Sequence, residues 1–231
     1  MPPTKRDARI AGLLYILMAL PAPFALIYVP AKLIVRGDAT VTANNVLAHE
    51  TLFRAGIFGE LFNGVGFILL VVVLYRLFRA VDQTQAALMV SLVLVSVAIG
   101  FVNVLNSIAG LMLFHGSDFL IAMDKTQRDA LGMLFLNLHR QGITISEIFW
   151  GLWLFPFGVL VMRSGFIPRI LGVLLIVNCF GYVAASLTSL FLPSYAKVIS
   201  LIVLPTLLGE LWIILWLLIK GVKVNQVPVQ T

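Results

Sequence analysis

Six long, mostly apolar runs, each close to the length that crosses a bilayer, decide what this chain can fold into. They cover residues 10–29, 53–77, 86–113, 143–162, 170–192 and 198–219. Crossing about 30 Å of hydrocarbon takes roughly 20 residues of helix. Charged residues make up only 11% of the 231, and mean hydropathy is +1.04. That is too little charge to cover a soluble domain of this size, so lipid is the solvent the composition fits. A β-barrel would show short alternating strands, whereas these runs are continuous and rich in Leu, Ile and Val. The expectation is an all-α membrane protein, a bundle of six transmembrane helices forming a single integral membrane domain over residues 1–231.

The net charge of +6 does not indicate nucleic acid, because the basic residues sit at the ends of apolar runs and form no single patch. Lys5, Arg6 and Arg9, then Arg76 and Arg79, Arg163 and Arg169, and Lys220 and Lys223 all fall on one side if the chain crosses six times. The positive-inside rule makes that side cytoplasmic, with both termini on it. Cys179 is the only cysteine, so an intrachain disulfide and a Cys-rich metal site are excluded. The basic start and first apolar run resemble a signal peptide, yet no Ala-x-Ala cleavage pattern follows. The run is read as a retained helix kinked by Pro21 and Pro23, a cleaved signal being the alternative.

Two segments lie outside the runs. In residues 30–52, Arg36-Gly-Asp38 reads as a turn, and Thr40, Thr42, Asn44 and Asn45 suggest a capped start to an interfacial segment carrying His49 and Glu50. In residues 115–142, Thr126-Gln-Arg-Asp129 resembles a capping box. Apolar residues then continue to Met162. A stretch that long exceeds the membrane, so the fourth helix either projects beyond it or breaks near Gly142.

Three glutamates, Glu60, Glu147 and Glu210, lie inside runs that cross the membrane. A charged side chain there costs at least about 2.5–3.5 kcal/mol, so each needs a partner, a proton or a wet cavity. By helix rise, Glu60 and Glu147 each stand about 24 Å above Arg76 and Arg163, in the outer leaflet. Glu210 stands about 15 Å above Lys220, near the midplane. Arg54, His139 and Arg140 lie at the outer edge, and Asn63 shares a face with Glu60. Arg54, Glu60, Asn63, His139, Arg140, Glu147 and Glu210 are therefore the candidates for a polar cavity or ion pairs, with Glu147 expected to be held by Arg54. The bland alternative is an interhelical clasp that fixes the bundle without chemistry.

Asn103, Asn106 and Ser107, with Ser96, Gly100 and Gly110, mark one small and polar side of the third helix. Asn178, with Tyr182, Ala185 and Ser189, does the same in the fifth. Such faces serve helix packing, a substrate path being the alternative. The chain also repeats itself. Arg9-Ile-Ala-Gly12 matches Arg169-Ile-Leu-Gly172, and Gly59-Glu-Leu61 matches Gly209-Glu-Leu211. Three parallel hairpins, each returning one glutamate, would explain this; chance likeness of apolar helices is the alternative.

No catalytic residue, cofactor or metal is expected. His49, His115 and His139 have no zinc spacing, and no Gly-x-Ser-x-Gly elbow, phosphate loop or dinucleotide fingerprint occurs. The segments His139-Arg-Gln-Gly-Ile-Thr-Ile-Ser-Glu-Ile-Phe-Trp-Gly-Leu-Trp-Leu-Phe-Pro-Phe-Gly158 and Arg163-Ser-Gly-Phe-Ile-Pro-Arg-Ile-Leu-Gly-Val-Leu-Leu175 carry a family likeness. With Arg9-Ile-Ala-Gly-Leu-Leu-Tyr15 and Trp216-Leu-Leu-Ile-Lys-Gly221, the chain resembles the bacterial integral membrane proteins grouped as domain-of-unknown-function family 4386. That resemblance implies a bacterial inner membrane and about six helices, and brings no activity, substrate or catalytic residue. The functional expectation is a multipass protein that binds or passes a small solute or proton through an outer-leaflet polar cavity. The alternative is a structural or regulatory membrane subunit.

Overall fold

A computed structural model describes residues 4–117 and 120–222. Lys223, one of the basic residues at the run ends, lies outside the described residues. Among the described residues every regular element is helical. In chain order the α-helices are α1 (Lys5–Ala19), α2 (Val29–Leu33), α3 (Ala39–Ala48), α4 (Glu50–Phe78), α5 (Gln83–His115), α6 (Lys125–Leu152), α7 (Leu154–Ser164), α8 (Arg169–Phe191), α9 (Ala196–Val203) and α10 (Leu208–Ile219). Six stretches built from them are long and apolar enough to cross a membrane: Lys5–Leu33, Glu50–Phe78, Gln83–His115, Lys125–Ser164, Arg169–Phe191 and Pro193–Ile219. Their outward residues include Leu20, Phe58, Val102, Phe180 and Leu201. In water such continuous apolar cover would drive association; against acyl chains it is the expected surface. The chain is a multipass all-α membrane protein.

Prolines interrupt three of the six stretches. Between α1 and α2 the ladder turns at Leu20 and Pro21, and Phe24–Tyr28 adopts the wider π-helical winding, as expected where Pro21 and Pro23 cannot donate. Between α9 and α10, Leu204–Leu207 tightens to a 3-10 turn at Pro205. The fourth stretch follows the first of its two expected courses, its 40 residues outrunning the membrane thickness. It is continuous through Gly142 and breaks at Trp153, the turn that separates α6 from α7. Pro156 has no N–H for the Leu152 carbonyl four residues earlier, which accounts for the break.

Caps also differ from the expected ones. The start of α6 is a reciprocal box two residues earlier than Thr126 and Asp129: the Gln127 amide donates to Asp124 Oδ1 at 2.9 Å, and the Asp124 amide to Gln127 Oε1 at 3.1 Å. Asp129 is instead buried and bound to Lys125 at 2.6 Å. At α3 the cap is Asp38, whose Oδ1 accepts from the Val41 amide at 2.9 Å.

The chain groups into two compact units. The first comprises Met1–Ile16, Gly66–Ser96 and Glu147–Thr231, the second Leu17–Val65 and Val97–Ser146. The first is centred on Trp153, fully buried, stacked on Phe157 at 5.3 Å and met edge-on by Phe67 at 5.1 Å. The second has Val29, Leu33, Val46, Phe53, Leu111, Phe114 and Leu136 as its core.

The repeated tetrapeptides mark close helix contacts. A Cβ on Gly12 would come 2.7 Å from the backbone nitrogen of Leu218, and one on Gly158 would come 2.6 Å from the Gly172 carbonyl. Thus α1 meets α10, and α7 meets α8, at backbone distance. The return motifs do the same more loosely, Gly59 against Ala25 and Gly209 against the Leu174 carbonyl. Backbone cannot yield as a side chain can. Gly172→Ala should therefore cost about 1–3 kcal/mol in a detergent unfolding series. Gly100→Ala, with nothing within 4 Å of the added carbon, should be neutral or mildly stabilising. Equal midpoints for the two variants would remove the argument.

Candidate functional site

In the second unit, Glu60 on α4 and His139 on α6 meet: His139 Nε2 lies 2.9 Å from Glu60 Oε2, both side chains mostly buried. The imidazole either donates to the carboxylate or, doubly protonated, pairs with it as an ion. The backbone carbonyl of His139 accepts from Asn103 Nδ2 at 2.8 Å, and Asn103 Oδ1 accepts from Asn106 Nδ2 at 3.1 Å. Asn103 reaches that carbonyl because Gly142, one turn along α6, has no side chain; a Cβ there would overlap the Asn103 amide. Asn63, on the face of Glu60, donates to the Met18 carbonyl at 2.8 Å, beside the proline break of the first span.

His139 faces two spaces. One is a narrow cleft of about 30 Å³ shared with Glu60 and Ser107, room for a water molecule. The other is an open pocket of about 570 Å³, with Arg36, Asn137, Arg140 and the apolar Ile27, Ile34 and Met133 on its walls. Its size falls in the range of small-molecule sites.

In the first unit, Glu210 opens α10 just beyond the Pro205 turn, and both its oxygens accept. Tyr15 donates its hydroxyl to Oε2, and Asn178 Nδ2 donates to Oε1 at 2.8 Å. Asn178 Oδ1 in turn accepts from Thr206 at 2.8 Å. Tyr182 faces both Glu210 and Glu147. Glu147 also lies against the buried Ser186, whose hydroxyl makes no well-formed hydrogen bond. Among the described residues neither acid has a basic partner.

The expected hold of Arg54 on Glu147 is corrected. Arg54 Nε bonds Glu50 Oε1 at 2.6 Å, one turn back on the same helix, and is largely exposed. Glu50 also accepts from His115 at 3.0 Å. Helix α4 begins at Glu50, which places these two residues four apart on one face, the nearest geometry available to the guanidinium. Among the described residues no three of His, Cys, Asp and Glu converge as metal ligands.

The family described as Domain of unknown function (DUF4386) matches residues 10–221. The chain belongs to the DUF4386 family. It is 36% identical over 85 residues to an uncharacterized protein of Archaeoglobus fulgidus, a match covering 37% of this chain and 49% of that one. The chain thus spans about half the length of the curated relative it matches. No solved structure matches.

Reading this DUF4386 chain from its residues missed Tyr15 as the donor to Glu210, and Arg36 and Asn137 as pocket walls. Tyr15 carried one signal: a phenol inside an apolar run needs a partner for its hydroxyl. Nothing in the sequence distinguishes Arg36 from any other loop arginine.

Proposed function

We propose that this multipass protein, working as one membrane domain, binds a small solute in the pocket walled by His139, with the Glu60–His139 pair as its polar end. The supporting observation is that one imidazole lines the open pocket and also contacts a carboxylate in the cleft behind it. A solute in the pocket can exchange a proton with His139, and Glu60 can take up the change in charge. The basic clusters at Arg76 and Arg79 and at Arg163 and Arg169 favour the cytoplasm for their ends of the spans. This reading puts the pocket on the outer side of a bacterial cytoplasmic membrane.

Glu60→Gln and His139→Gln should leave the protein inserted. Against a panel of carboxylates, amino acids, sugars and amines, each should weaken the response by roughly tenfold or more, the worth of a charge-assisted contact. The readouts are uptake into proteoliposomes and ligand-induced thermal shift. Wild-type behaviour of both variants in every assay would remove the proposal.

A second reading, a structural or regulatory subunit, draws on Asn63, Asn103 and Asn178, whose amides are taken up by contacts between helical segments. Under it, the same variants lower stability and change no solute response.

A further inference from the structure

The open pocket carries two arginines that no acid answers among the described residues. Arg36 lies in the turn between α2 and α3, and Arg140 follows His139 on α6; both line the pocket and both are exposed. Among the described residues neither takes part in an ion pair. The nearby acids are engaged elsewhere. Asp38 caps α3 through Oδ1, and Glu60 is held by His139. The rest of the wall is apolar. Leu26 and Ile27 belong to the first membrane-length span, and Ile27 is exposed, so this wall continues onto the side of that helix that faces lipid.

We propose that the pocket takes an anionic amphiphile from the surrounding leaflet. Its phosphate or carboxylate lies on Arg36 and Arg140, and its acyl chain lies along Leu26, Ile27 and Ile34. The planar guanidinium forks match such headgroups in a bidentate way. A soluble anion would leave the apolar wall bare, and a neutral lipid would leave both arginines unpaired beside hydrocarbon. This names the ligand class of the site under Proposed function and rests on that reading of the pocket.

The full chain, purified in a nonionic detergent, is tested by thermal shift with oleoyl lysophosphatidic acid, mono-oleoylglycerol and inorganic phosphate. The anionic amphiphile should stabilise it saturably and the other two should not. The double variant R36Q/R140Q should keep its ligand-free Tm, since neither arginine has an acidic partner to orphan among the described residues. It should bind the amphiphile more weakly by roughly tenfold for each arginine lost. R36K/R140K, which keeps the charge without the forks, should fall between, and it serves as the test should the glutamine variant not fold. A response to mono-oleoylglycerol or to inorganic phosphate equal to that of the amphiphile would overturn the ligand class. So would a wild-type response from the arginine variants. Glu60→Gln and His139→Gln, tested with the same lysophosphatidic acid beside the solute panel, judge the pocket separately. A panel solute that binds through His139 and is insensitive to the arginine variants keeps the site and removes the ligand class. Wild-type responses from the Glu60 and His139 variants to every ligand remove the site.

Discussion

Glu210→Leu should lower stability in a detergent unfolding series by about 2–4 kcal/mol, because two donors lose their acceptor at once and each orphan costs about 1–2 kcal/mol. Tyr15 and Asn178 are both fully buried, so water cannot take the place of the lost carboxylate. Glu210→Gln is the informative contrast. Its amide keeps one carbonyl oxygen for Asn178, and its NH2 can donate to the Tyr15 hydroxyl, which reverses its role. That variant should lose less than about 1 kcal/mol. Equal losses for the two variants would mean that charge, and not acceptor geometry, holds the network together. No loss in either would mean that Glu210 is no hub. A glutamine variant that stays stable and keeps any solute response would assign Glu210 to the helix clasp and leave the pocket at His139 as the site.

The second large effect belongs to Trp153. Its indole is enclosed by Phe157, Phe67 and Tyr15, with ring centroids at 5.3, 5.1 and 5.9 Å. Truncating a buried tryptophan to alanine costs about 3–5 kcal/mol in soluble cores. Part of that is transfer from water, which hydrocarbon surroundings largely cancel, leaving the cavity and the lost contacts. Trp153→Ala should therefore fall near the low end, about 3 kcal/mol, read as the same unfolding midpoint. A variant within 1 kcal/mol of wild type would mean that the α6–α7 break tolerates collapse around the missing ring.

The two predictions bear on different kinds of legibility. Glu210 announced itself, since a carboxylate in a run as apolar as 198–219 has few neighbours of its own kind. Its partners did not. Tyr15 stands 195 positions away along the chain, and no spacing rule connects them. His139 and Glu60 were named as groups at one outer level, but so was Arg54, which turns to Glu50 on its own helix. That error came from one boundary. The sequence reading put Glu50 in an interfacial segment, whereas α4 begins there and supplies a local partner. The matched glycine motifs were legible in the sequence, and their helix contacts were not. The two motif glycines lie at backbone distance from a neighbouring helix, Gly12 from Leu218 and Gly172 from Gly158.

By itself the sequence determined that this is a multipass helical membrane protein with six apolar stretches long enough to span, and which side chains are too costly to leave unattended in lipid. Those are sums over consecutive residues, and hydrocarbon imposes them whatever the neighbours do. Tertiary structure alone decided that Glu60 answers to His139, that Glu210 answers to Tyr15 and Asn178, and that Arg36 and Arg140 line one pocket. Those pairings depend on how each helix is turned about its axis and where its proline breaks fall. Both are set by which glycine admits which neighbouring backbone, a property of the packed helices and of no single one of them.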